Sequence, residues 1–148
     1  MNALQSLASF AIDYIPDRRA SVFAVGAKVK HAKVYTGERV QQCFPLNGDF
    51  EKPDLYGIEA ISNAYQEILH HLEYSGPTDF TQVIRKAMDN CLAGKKKKDE
   101  FSVLAVLSDG KLTNREELKA VLAECPTLPI YIVFLAVDSD GKEMRDLS

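Results

Sequence analysis

Two short stretches place oxygen-bearing side chains where a fold can use them. Gly76-Pro77-Thr78-Asp79-Phe80 sets a hydroxyl and a carboxylate at the opening of a helix, whose first amides have no partner within the helix. Ser108-Asp109-Gly110 sets a carboxylate directly after the apolar run 101–107, FSVLAVL. Oxygen ligands of this kind suit a hard cation such as Mg²⁺, which accepts hydroxyl, carboxylate and water in an octahedron. A plainer alternative stands beside this chemistry. Thr78 or Asp79 also serves as a helix N-cap, and Asp109-Gly110 also makes a tight turn.

Other reactive groupings are sparse. The sequence holds no G-x-x-x-x-G-K-[ST], G-x-G-x-x-G, G-x-S-x-G or H-E-x-x-H. Gly94-Lys95 lacks the upstream glycine and the following hydroxyl of a phosphate loop. His31 falls in a loop and His70-His71 near a helix end; side chains of adjacent helical residues diverge, so structural roles are expected for all three. Cys43, Cys91 and Cys125 sit in apolar company and read as small buried hydrophobes. An odd cysteine count with no C-x-x-C excludes a disulfide scaffold or a cysteine zinc site, and points to a reduced, intracellular compartment. The lysines at 95–98 read as a solvated loop, with weak attraction to anionic lipid or an acidic partner as the functional alternative.

The elements that must position these loops follow from periodicity. Residues 2–15 carry Leu4, Leu7, Ala8, Ala11, Ile12 and Ile15 at helical spacing, ended by Pro16. Residues 20–25 read as a buried strand, 27–54 as a polar, turn-rich stretch with a short edge strand at 40–46, and 55–72 as a second amphipathic helix. A third helix follows Asp79 through Val83, Ile84, Met88 and Cys91. Strands at 101–107 and 130–137 enclose a helix opened by Asn114 as N-cap with Glu117 at N3. Asp140 to Glu143 opens a last short helix. Apolar strands alternating with amphipathic helices predict an α/β, three-layer, mostly parallel sheet with helices on both faces, in a single domain. Ligands in such sheets sit at the carboxyl ends of strands, which singles out residues 26–28, 108–114 and 138–141 along with the 76–79 loop.

Composition narrows the function. The chain has 148 residues, 21 acidic against 18 basic, for a net charge of −3. That balance excludes a nucleic-acid binder built on bulk charge. No apolar run reaches the length of a membrane span, and no signal peptide opens the chain.

In these residues the sequence resembles the von Willebrand factor A-type domain of the copine family. The matching pieces run in order: Phe23-Ala24-Val25-Gly26-Ala27-Lys28-Val29, Cys43-Phe44-Pro45-Leu46-Asn47, Gly57-Ile58-Glu59 with Ala64-Tyr65, Gly76-Pro77-Thr78-Asp79-Phe80, Leu107-Ser108-Asp109-Gly110 and Leu128-Pro129-Ile130. The resemblance implies a metal-ion-dependent adhesion site for Mg²⁺ or Mn²⁺, with Thr78 and Asp109 as ligands from its second and third loops. It also implies a protein partner, and a cytoplasmic protein held peripherally at membranes by calcium-dependent phospholipid-binding modules not represented here. The family's Asp-x-Ser-x-Ser motif, the strand before it and the last strand have no counterpart in this sequence, so the metal site is partial. Residues 20–25 are then expected to pair with 101–107, or to leave room for a strand from another copy in a strand-exchanged homo-oligomer. The expected function is a non-enzymatic protein-interaction module docking at the strand-top loops. The alternative is a Mg²⁺-dependent phosphoryl-transfer enzyme on a Rossmann- or flavodoxin-like sheet using Asp109, which lacks the acidic pair and phosphate cradle such enzymes need.

Overall fold

A computed structural model describes residues 2–15, 17–31, 34–35, 38–75, 78–93, 101–109, 111 and 113–137. The chain falls into two compact units, Met1–Gly76 and Pro77–Ser148, and each mixes helix with strand. The expected α/β character is present. The expected lysine loop at 95–98, the helix from Asp140 and the loop at 138–141 lie outside the described residues.

In the first unit, α1 (Asn2–Asp13) buries Ala8 and Ile12. These meet Ile61, Ala64 and Ile68 of a second helix, α2 (Gly57–Leu69), in one core with Ala27, Val29, Phe44, Leu46 and Leu55. Short antiparallel ladders carry the remaining core residues. Strand β1 (Arg19–Ser21) pairs with β6 (Asp54–Tyr56), and β2 (Phe23–Ala24) with β5 (Phe44–Pro45). Strand β3 (Ala27–His31) lies between β4 (Val34–Tyr35) and β7 (Leu72–Tyr74).

Four expectations change here. Residues 20–25 do not form one buried strand but the two short strands β1 and β2. Both take partners within their own unit, where closing a shorter chain segment costs less entropy. Its ladders are all antiparallel among the described residues, so the mostly parallel sheet is not what these residues build. The cause is one-sided burial: Arg19 and Ser21 are exposed around half-buried Ala20, a pattern that antiparallel sheets accommodate. The third change is β3, in a stretch read as turn-rich. Ala27, Val29 and His31 are buried in strict alternation with Lys28 and Lys30. Lys28 Nζ lies 2.6 Å from Glu38 Oε2 and 3.3 Å from Glu73 Oε1, and Lys30 Nζ 3.2 Å from Glu73 Oε2. Surface pairs of this kind contribute little to stability. The second helix is also shorter than 55–72, because Leu55 and Leu72 belong to the flanking strands.

The second unit is built on β8 (Ser102–Ser108) and β9 (Ile130–Ala136), parallel and in register from Ser102↔Ile130 to Ser108↔Ala136. Both strands fall within a residue of their expected bounds. The connection between them runs through α4 (Arg115–Glu124) and a 3₁₀ turn, Cys125–Thr127. Before β8 comes α3 (Thr81–Ala93), which buries Val83, Ile84, Met88 and Cys91. Leu118 and Val121 of α4 are fully buried, and Phe80 meets Phe134 edge-on with centroids 6.3 Å apart. The ladder's alternate positions lie open: Phe101, Val103, Tyr131 and Val133 are 61%, 59%, 63% and 44% exposed.

Two glycines give a test of the first unit. Gly48 and Gly57 both have positive φ, 70° and 77°. A Cβ at Gly48 would lie 2.7 Å from His31 Nδ1, whereas one at Gly57 meets nothing within 4 Å. Gly57→Ala should therefore cost only the left-handed backbone penalty, about 1–2 kcal/mol. Gly48→Ala should cost more, since His31 is buried and must also shift. Urea unfolding of the two variants reads the difference, and equal losses would contradict the close packing of Gly48 on His31.

Candidate functional site

The site lies where two loops of the second unit meet. The first, residues 78–81, leads into α3. The Phe80 carbonyl accepts the first helical bond, from the Ile84 amide at 3.1 Å, so Phe80 is the N-cap residue. Asp79 stands one position earlier, yet its carboxylate does the capping. Its Oδ1 accepts from the Thr81 amide at 2.9 Å and from the Thr81 hydroxyl at 2.7 Å. The second loop, described at residues 109, 111, 113 and 114, follows the carboxyl end of β8. There Asp109 is exposed and its Oδ1 accepts from the Lys111 amide at 3.2 Å, an Asx-type turn.

Among the described residues, bonds from Thr113 and Asn114 join the loops. The Thr113 hydroxyl donates to the Thr78 carbonyl. The Asn114 side-chain amide donates to Asp79 Oδ2 at 3.1 Å. Asn114 occupies the N-cap position of α4 as the sequence indicates, but it makes no side-chain cap bond and its backbone is left-handed, φ 53° and ψ 43°. Its amide is spent on the other loop. Glu116 and Glu117, in the first turn, supply negative charge to the amides left uncapped.

Electrostatics centre on Asp79. Partial burial pushes its carboxyl up, but the Thr81 hydroxyl, the Thr81 amide and the Asn114 amide together hold it below its ordinary value. The two residues singled out for a metal, Thr78 and Asp109, are on these loops, and the tie between the loops runs through Thr113, Asn114 and Asp79. One hydroxyl and one carboxylate fall short of the oxygen set that Mg²⁺ requires. The carboxylate nearest in sequence, Asp79, is already engaged by Thr81 and Asn114. Among the described residues no group of three His, Cys, Asp or Glu is placed to hold a metal ion. These donors do not by themselves fit a resident cation.

The other chemistry-bearing residues take structural places. His31 is buried and meets His71 edge-on at 5.1 Å, with Glu67 Oε1 3.7 Å from its Nε2. The sequence suggested His70 and His71 as the neighbouring pair; the ring contact is instead across β3 and the end of α2. Cys91 and Cys125 are buried, and burial, helped by the Glu124 charge, pushes the Cys125 thiol up and away from reactivity. Residues 26–28 belong to the first unit, where Gly26 and Ala27 amides donate to the Gln41 carbonyl at 2.9 and 3.2 Å.

The second unit is thus a parallel βαβ unit whose 78–81 loop is tied to the exit of β8 by hydroxyl and carboxylate groups. Residues 1–148 match the family model described as Copine, and the chain belongs to the copine family. It is similar to Copine-C of Dictyostelium discoideum, 25% identical over 146 residues, covering 98% of this chain and 26% of that protein. It is similar also to Protein BONZAI 2 of Arabidopsis thaliana, 32% identical over 138 residues, covering 90% of this chain and 22% of that protein. The chain thus spans about a quarter of the length of these curated relatives.

Asp79→Ala should destabilise the chain by about 1–2 kcal/mol near neutral pH, the usual loss of a capping side chain. Since the native carboxyl titrates below its unfolded value, its contribution is present in full above about pH 4 and disappears as pH falls through the lower native value. Urea unfolding across this range should show wild type and variant converging in acid. A gap that persists or widens there would contradict the role given to Asp79.

Proposed function

We propose that the chain is a non-enzymatic protein-interaction module of a copine-like protein, docking its partner on the surface formed by residues 78–81 and 109–114. The observation that carries this reading is the pair of cross-loop bonds, Thr113 to Thr78 and Asn114 to Asp79. They hold two chain segments in one arrangement beside the exposed Asp109 and Lys111, which offer a partner one charge of each sign. Copine-family membership supports the same reading. A von Willebrand factor A-like, three-layer sheet is the architecture it assumes, with the β8–β9 ladder as part of that sheet. Thr78 and Asp109 act there as docking residues, and Mg²⁺ or Mn²⁺ help waits on an Asp-x-Ser-x-Ser segment that these residues do not contain. The setting is the cytoplasm, with peripheral attachment to membranes supplied by other parts of a full-length relative. No described helix is long and apolar enough to cross a membrane.

Asp109→Arg tests the docking surface. The exposed side chain can be exchanged with little effect on thermal unfolding. Proteins retained from cell extract by the immobilised wild-type chain should be lost from the variant by about tenfold, the effect of about 1.4 kcal/mol. Equal retention by both chains would contradict docking at this loop.

The same reading completes the open β8–β9 ladder with a strand from a second copy. Sedimentation equilibrium should then show self-association of the wild type, weakened by Val103→Lys on the exposed face. A wild-type monomer at every concentration would remove the strand-exchanged oligomer.

A further inference from the structure

Arg18 and Asn114 are the described non-glycine residues with positive φ, and Asn114 is the one that lies in the site. An N-cap ordinarily has extended backbone and turns its side chain onto its own helix. Asn114 has left-handed backbone and makes no side-chain cap bond. Asparagine tolerates that region better than other non-glycine residues, though the conformation remains uncommon and is kept where surrounding contacts impose it. The contact here is the bond to Asp79 Oδ2, charge-assisted and therefore stronger than a neutral one. Asp79 cannot swing to follow, because Thr81 pins its other oxygen twice. The neighbouring Thr113 adds a second rung, its hydroxyl on the Thr78 carbonyl. Two adjacent residues of one loop thus clasp two adjacent residues of the other.

The geometry points to a latch in which Asn114 and Thr113 lock loop 109–114 onto loop 78–81 by hydrogen bonds, so that the surface is preformed without a cation. Asn114 is a positioning residue of that surface. A metal site recruits carboxylates from separate loops and orders them on binding. Here Asp79 is already held by amides and a hydroxyl, and Asp109 turns onto the Lys111 amide. The order of the loops then belongs to the side chains of this chain. What docks there rests on the reading above, but the latch itself does not need a partner to be tested.

Amide hydrogen exchange on the whole chain, in EDTA and in millimolar Mg²⁺, reads the latch directly. Protection of peptides covering 78–84 and 109–117 should be the same in both solutions. Asn114→Gly keeps the left-handed backbone at no steric cost and is nearly neutral as an N-cap. It should raise exchange most in those two regions, by about tenfold, the effect of losing one hydrogen bond to a charged group, with a fall in the unfolding midpoint no larger than that one bond accounts for. Thr113→Val should do the same to a smaller degree. Protection that rises with Mg²⁺ would overturn the latch, as would variant exchange equal to wild type. Exchange that rises evenly over the chain with a falling midpoint would make Asn114 merely structural. Docking lost in Asp109→Arg but protection intact would leave the latch standing, so the two ideas fail separately.

Discussion

The second unit depends on one constraint, the parallel register of β8 with β9. Parallel strands cannot be joined by a tight turn, so the chain must leave β8 at its carboxyl end, cross through α4 and return. The loop carrying Asp109, Lys111, Thr113 and Asn114 exists because of that crossing. Its inner face is anchored by Val106 and Ile130, and by Leu118 and Val121 on the crossover helix, all buried. Any shift of the ladder by one residue would exchange these with the open positions at Val103, Tyr131 and Val133. The placement of the loops therefore follows from packing that lies away from them.

On that frame the loops are held by side chains of modest chemistry. An isolated carboxylate at a helix start is commonplace. What distinguishes Asp79 is that its two oxygens serve different loops, Oδ1 its own helix and Oδ2 Asn114. The same residue thus stabilises α3 and couples it to the exit of β8. A protein that presents a docking surface gains from such coupling, since loops ordered in advance lose less entropy on binding. Copine-family membership points to an interaction module, and the chain spans about a quarter of the length of the curated relatives it matches.

Much of this was legible in the residues. The runs FSVLAVL and IYIVFLAV read as strands because they are apolar throughout, and α1, α2 and α3 announce themselves by helical spacing. The copine resemblance was carried by short ordered pieces, among them the two loops themselves. Less visible was β3, whose buried Ala27, Val29 and His31 alternate with lysines in a stretch dominated by turn formers. The strict period of two was the available signal. Pairing was harder still: nothing in residues 20–25 says that their partners are 54–56 and 44–45 rather than a central strand. Asn114 shows the limit most clearly. Its N-cap position could be read from its place before Glu117, but the destination of its amide, 35 residues back at Asp79, depends on tertiary structure alone.

The central claim is that the loops are joined by a specific bond between the Asn114 amide and the Asp79 carboxylate. The most direct measurement is a through-hydrogen-bond NMR coupling between Asn114 ¹⁵Nδ2 and Asp79 ¹³Cγ in the isotopically labelled chain, recorded in EDTA. A resolved coupling is expected, and it should disappear in Asp79→Ala with the other shift changes confined to the two loops and the first turn of α3. An Asn114 side-chain amide with the shift and exchange rate of a solvated one, and no coupling to Asp79, would contradict that claim.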